Sequence, residues 1–320
     1  MAGGRAHGMH AAGMRLTCSR FLMPALVGML LAATARSAPA LEVTRGQMAR
    51  EVCTAAASVP SAPADAVQPV PLPDTVPAIG EHDIRIAWLA GPDSRYSHAA
   101  LGNDIHAASL HATVRGTREV VNLVLPQDRV FEDRIPRLVD LDGDGRDEVV
   151  VVESRAGRGA SLVAYGIERS GHAAAWVERA RSDPVGSMRW LNPIGAADFD
   201  GDGRLELASV TTPHIGGVLT LYRYAPPRLE VLGRTEGVSN HRFGSPEQRL
   251  SALLARPDGP VVVVPDQAFS RLLFHGWARG AWRPAAPALP LPGKVERVLG
   301  LDETVCVELA GGDWLRITAP

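Results

Sequence analysis

The chain has 320 residues, 46% of them apolar and 21% charged, with a net charge of −2. That supplies enough apolar sequence for a sizeable core. The balanced charge argues against nucleic acid or an anionic membrane surface as a partner, since both select clustered positive charge.

Residues 1–40 read as an export signal. Arg15 and Arg20 lead into the apolar run from Phe21 to Ala33, and the small-residue cleavage sites Ala33-Thr-Ala35 and Ala38-Pro-Ala40 follow. The run is too short to span a bilayer comfortably, although an uncleaved anchor is the alternative. Cys18 precedes the run, which is the wrong place for a lipoprotein cysteine. No later segment is long and apolar enough to cross a membrane, so the expectation is a periplasmic or secreted protein without a membrane span. Removing the signal leaves Cys53 and Cys306. In an oxidising compartment they either pair or remain two separate buried thiols, because spacing does not give their Cα separation.

Residues 41–80 form a second zone. Thr44 and Gln47 have capping-box spacing, which predicts a short helix over 42–57. Prolines 60, 63, 69, 71, 73 and 77 then predict an extended, unpacked linker.

From residue 81 to 320 the text becomes short apolar runs cut by turn residues. Predicted strands include Ile84–Leu89, His106–Val114, Glu119–Leu125, Arg137–Asp140, Glu148–Glu153 and Ser161–Ile167. Further strands are predicted at Gly195–Asp198, Glu206–Thr211, Val218–Tyr224, Leu229–Val231, Leu250–Ala255, Val261–Val264 and Leu272–Phe274, and finally at Val295–Leu301, Thr304–Leu309 and Trp314–Thr318. Strands at this spacing indicate an all-β sandwich, barrel or propeller.

One acidic loop is written twice. Asp140, Asp142, Asp144 and Glu148 occupy positions 1, 3, 5 and 9 of the first copy. Asp198, Asp200, Asp202 and Glu206 do so in the second, 58 residues on. Glycines at positions 4 and 6 permit the tight curl that lets short acids on alternate residues converge. Such a set suits a hard, oxygen-seeking cation, which makes two structural Ca²⁺ sites the expectation. The EF-hand, which also begins D-x-D-x-D-G, needs a bidentate Glu at position 12 between two helices. Here position 12 is Val151 or Ser209, and the flanks are β-branched. The repeat continues beyond the loops: Gly159-Ala-Ser-Leu-Val-Ala-Tyr165 parallels Gly216-Gly-Val-Leu-Thr-Leu-Tyr222. An eroded third copy, from Leu253 to Asp266, keeps its strands and loses its acids. Units of this length with about four strands fit propeller blades.

The motif D-x-D-G-D-G-x-x-E before a β run resembles the FG-GAP (VCBS-type) repeat. That repeat builds the calcium-bearing propellers of integrin α-subunits and of many exported bacterial proteins. The resemblance implies a β-propeller, commonly of seven blades in that family; at this repeat period residues 81–320 leave room for about five (four to six). It also implies that the backbone carbonyls of Arg146 and Arg204, at position 7, join the carboxylates as ligands. Closure is expected from pairing residues 296–320 with the strand at 84–89, which would remove free edges.

Ten histidines invite a search for chemistry. His106 and His111, five apart in a strand, point to opposite faces. His98, His172 and His275 read as solvated surface residues. His214 follows the exit strand of the second copy, and His241 lies in the next inter-blade loop. If both loops reach one face, Trp190, Asn192, His214, Asn240, His241 and Arg242 line a ligand pocket; the rival reading is loop hydrogen bonding. The Arg-rich stretches 155–158 and 179–181 read as solvated loops, and the tryptophans as inter-blade packing. The expected function is an exported, calcium-stabilised binding or scaffold module for an extracytoplasmic protein or glycan. The alternative is an exported hydrolase or lyase with its site on the His214/His241 loops.

Overall fold

A computed structural model describes residues 41–57, 69–117, 119–171 and 173–319. The signal segment, Cys18, Pro60, Pro63 and His172 lie outside the described residues. The described chain is all-β with a single helix. Its elements open with β1 (Glu42–Arg45) and α1 (Gln47–Ala57). Next come β2 (Ala78–Ile79), β3 (Ile84–Asp93), β4 (His106–Val114), β5 (Val120–Val124) and β6 (Arg129–Phe131). The repeat region carries β7 (Arg137–Val139), β8 (Glu148–Arg155), β9 (Gly159–Ser170), β10 (Ala173–Arg181), β11 (Leu191–Ala197), β12 (Glu206–Thr211), β13 (Val218–Ala225) and β14 (Arg228–Glu236). The last third holds β15 (Ala252–Leu254), β16 (Val261–Pro265), β17 (Arg271–Ala278), β18 (Ala281–Pro284), β19 (Leu289–Pro290), β20 (Val295–Leu301), β21 (Thr304–Leu309) and β22 (Trp314–Thr318).

These strands run as successive antiparallel meanders: β2–β5, β7–β10, β11–β14, β15–β18, and β20–β22 completed by β1. A strand has two faces with period 2, so a central meander can be apolar on both. The run Val149-Val-Val-Val152 shows it. Val149 and Val151 pack with Leu89, Leu110 and Ala112 of the preceding meander. Val150 and Val152 pack with Leu207, Tyr222 and Leu229 of the following one. The next interface joins Val210 and Leu221 to Val262, Val264 and Trp282, and the last joins Val263 and Phe274 to Val298, Val307 and Ile317. Four-stranded units with a hydrophobic layer between each neighbouring pair make a β-propeller.

Three expectations are corrected. Residues 42–45 are a strand, not the first turn of a helix, and Gln47 donates to Glu51 (2.8 Å). The last meander is completed by that strand: Glu42 to Arg45 pair antiparallel with Thr318 to Leu315, whereas β3 pairs with β2 and β4. Val43 and Thr44 are β-branched, and the short link to α1 lets the helix dock beside the strand it extends. Residues 69–79, expected to be unpacked, are extended but tied down. Leu72 is buried, its N–H donates to Leu89 O (3.2 Å) and that of Val76 to Arg134 O (2.9 Å), and Trp88 Nε1 donates to Pro69 O (2.9 Å). The segment's backbone groups find sheet partners, and Leu72 covers apolar surface on the first meander.

Cys53 and Cys306 are joined by a disulfide, Cα atoms 5.6 Å apart, fastening α1 to β21. Such a bond fits an oxidising environment. Among the described residues, no helix is long and apolar enough to cross a membrane.

Candidate metal centres and the histidine hub

The two acidic loops fold alike because their backbones are organised by their own carboxylates. Asp140 accepts from the N–H groups of Gly143 (2.8 Å) and Gly145 (2.9 Å), and Asp198 from Gly201 (2.7 Å) and Gly203 (3.0 Å). Asp142 Oδ1 accepts from Asp144 N and Asp200 Oδ1 from Asp202 N, both at 3.2 Å. Gly143, Gly145, Gly201 and Gly203 all have φ between 74° and 86°, where a side chain would add strain.

Each loop gathers three carboxylates. Asp140, Asp142 and Glu148 offer oxygens within 4.8 Å of one another, as do Asp198, Asp200 and Glu206. Asp144 and Asp202 fall outside these groups; each accepts from the N–H at position 7, Arg146 or Arg204, at 2.9 Å. Glu148 and Glu206, the first residues of β8 and β12, are buried. One oxygen of each takes the N–H of Leu141 (2.9 Å) or Phe199 (3.0 Å). Glu206 Oε1 is buried with no hydrogen-bond partner. Burial first, then the charges of Asp142, Asp144 and Asp140, push Glu148 up to about 7. Glu206 is raised by the same causes, though Arg223 opposes them. A buried carboxylate with an unsatisfied oxygen, facing two more acids, is a donor set matched to a divalent cation.

The histidine loops converge on one hub. The rings of Trp190 and His214 stack at 5.9 Å and 5°, and His241 meets Trp190 at 4.7 Å. His214 Nε2 and His241 Nδ1 are 2.8 Å apart, and His241 Nε2 is 2.8 Å from the Ser245 carbonyl. A carbonyl accepts only, so His241 Nε2 carries the proton. Its Nδ1 then accepts from His214 Nε2–H, leaving His214 Nδ1 as the free lone pair. Both rings are neutral: burial moves His214 to about 4, and burial with the neighbouring His214 moves His241 to about 3.

Asn192 and Asn240 lie beside this pair and are fully buried. Asn192 Nδ2 donates to the carbonyls of Asn240 (3.1 Å) and Gln248 (2.8 Å). Asn240 Nδ2 donates to Asn192 O (3.2 Å) and Ser251 Oγ (3.1 Å). Arg242 turns away: it donates to Val295 O (2.7 Å) and lies over the Phe269 ring. The structure therefore brings Trp190, Asn192, His214, Asn240 and His241 together and leaves Arg242 apart. Most of their polar atoms serve internal bonds.

Several members of the hub were not singled out in the sequence. Glu132, fully buried, receives Trp190 Nε1 on its carbonyl (2.9 Å) and bonds His98 Nδ1 (2.6 Å) and Ser154 through its carboxylate. His98 is thus buried and paired, not solvated. Asp133 takes Val152 N (2.9 Å) and Arg137 Nη1 (2.6 Å). Only the run of charge in Glu132-Asp-Arg134, against apolar neighbours, hinted at them. Arg181, read as part of a solvated loop, lies in β10 and reaches buried Glu153 (2.8 Å), which Arg129 also reaches (3.2 Å). Phe243, 61% exposed, meets the rings of His214 (5.2 Å) and His98 (6.2 Å) in T-shaped contacts. Elsewhere, small residues on the inner strands β11, β15 and β20 (Gly195, Ala197, Ala252, Gly300) border a cavity of about 560 Å³.

Residues 140–209 match the model of the FG-GAP-like repeat. Both acidic loops lie within this FG-GAP-like match. No curated protein sequence matches the chain. Among solved structures, the chain is similar to the WD40 domain of coronin from Toxoplasma gondii, at 10% identity and TM-score 0.31, covering 88% of this chain and 87% of that one. It is also similar to BamB from Moraxella catarrhalis, at 12% identity and TM-score 0.27, covering 78% of this chain and 95% of that one. The matched FG-GAP-like span takes in both acidic loops and strands β8 to β11 between them.

Proposed function

We propose that the protein is an exported, calcium-stabilised propeller that serves as a binding or scaffold module outside the cytoplasm. The observation that carries the reading is the buried Glu at position 9 of both FG-GAP-like loops, turned back toward two aspartates. Asp140, Asp142 and Glu148, with the Arg146 carbonyl, would hold one ion. Asp198, Asp200 and Glu206, with the Arg204 carbonyl, would hold the other. Bound calcium would neutralise carboxylates that repel one another at a blade corner. Support for export comes from the signal-like N-terminus and the Cys53–Cys306 disulfide.

Phe243 and Ile215, exposed by 61% and 60% on the two histidine loops, are the residues we assign to contact with a protein or glycan. Such loops carry recognition on rigid scaffolds. The test is thermal unfolding with calcium and with EGTA, combined with Phe243→Ser and Ile215→Ser. The reading expects calcium stabilisation that the loop substitutions leave intact. A melting temperature indifferent to calcium would sink it.

A further inference from the structure

The two FG-GAP-like loops share a backbone but not a counter-ion. In the second copy Arg223 of β13 is the register partner of Glu206. Its guanidinium pairs with Asp200 and lies 3.7 Å from Asp202 and 3.9 Å from Glu206. In the first copy the register of β8 and β9, set by Val149 opposite Tyr165, puts Gly166 across from Glu148. Gly166 has no side chain to offer. Arg179, which lies against Gly166, is paired with Glu168 at 2.8 Å. Among the described residues, no ion pair reaches Asp140, Asp142, Asp144 or Glu148. The guanidinium at the second loop is also poorly satisfied: Arg223 Nε and Glu206 Oε1 are both buried without a hydrogen-bond partner.

Building on the calcium reading, we propose that Arg223 is an internal counter-ion that competes with a divalent cation for the second loop. The protein then carries two graded sites. Among the described residues, the first loop has no cation competing for its carboxylates and fills first. The second fills only as Arg223 is displaced from Asp200, because affinity in such loops follows the ligand charge count. A cation at Asp200 and Glu206 would face a fixed positive charge a few ångströms away, and that repulsion is strong in a partly buried setting. A guanidinium cannot relieve it by losing its proton.

The experiment is calorimetric titration of the calcium-stripped protein with calcium chloride, for the wild type, Asp140→Ala, Arg223→Gln and Arg223→Gly. The wild type is expected to show two classes of site about tenfold or more apart. Asp140→Ala should remove the tighter class. Arg223→Gln should tighten the weaker class by about tenfold and leave the other unchanged. Arg223→Gly, which installs the residue of the first copy, should do the same. Far-ultraviolet circular dichroism in EGTA identifies which of the two variants is folded, and the folded one is decisive. Two equal sites, or a weaker site that neither folded variant tightens, overturns the inference while leaving the calcium reading standing. No heat from any variant overturns the calcium reading, and this inference with it.

Discussion

Removing the Cys53–Cys306 disulfide should release the N-terminal strand and helix from the last blade. The bond closes a ring with a sequence separation of 253 residues, for which loop-closure entropy gives about 5 kcal/mol, the top of the usual range. Among the described side chains of α1, Ala49 and Cys53 are the buried apolar residues, while Met48 and Val52 are 63% and 40% exposed. Two small side chains contribute about 2–3 kcal/mol at most. With Cys53→Ala and Cys306→Ala together, β1 should leave β22 and expose its edge, a template for aggregation. Urea unfolding followed by circular dichroism should show a lower midpoint. Brief trypsin digestion of the native state should cut at Arg45 and Arg50 in the double variant and spare the parent. An unchanged midpoint with Arg45 and Arg50 still protected would refute the reasoning.

Other consequences follow from the same structure. A Cβ added at Gly159 or Gly217 would sit 1.7 Å from the carbonyl oxygen of Gly186 or Val238, whereas one at Gly143 would meet nothing within 4 Å. Gly159→Ala and Gly217→Ala should therefore cost about 3 kcal/mol or more in urea unfolding and Gly143→Ala about 1 kcal/mol; equal costs would contradict the packing. His106 and His241 have pKa values lowered by burial from 6.5 to about 4 and about 3. The unfolded chain binds more protons below 6.5, so stability is complete above that pH and falls as pH drops toward 4. Linkage assigns about 2 kcal/mol to each residue between pH 7 and 5. Urea midpoints flat across that interval would argue that both rings are solvated. Trp190→Phe keeps the ring in the hub but leaves the Glu132 carbonyl without its donor, for a loss of about 1–2 kcal/mol by the same assay.

Legibility in the sequence followed locality. The acidic loops are read at sight because their chemistry repeats within nine residues, and the valine runs reveal strands covered on both faces. The 173–181 segment, Ala-Ala-Ala-Trp-Val-Glu-Arg-Ala-Arg, shows the limit. Its alanines and charges favour helix, yet it forms β10 through a long hairpin register with β9. Tertiary pairing there outweighs propensity. The same holds for Glu132 with His98 and for β1 with β22, whose partners lie far away along the chain. Grouping Trp190, His214 and His241 rests on the loop after the second copy's exit strand and the next inter-blade loop reaching one face, and the rings do meet. Arg242 shared the stretch but not the direction.

The central claim is that the paired FG-GAP-like loops are structural calcium sites. Its most direct test is the melting temperature of the protein in calcium and in EGTA, with Asp140→Ala and Asp198→Ala. At tenfold excess over the dissociation constant each filled site adds about 1.4 kcal/mol, so two filled sites should raise the melting temperature by about 5 °C. Each substitution should remove part of that rise. A melting temperature the same in calcium and EGTA, in parent and variants alike, would contradict the account.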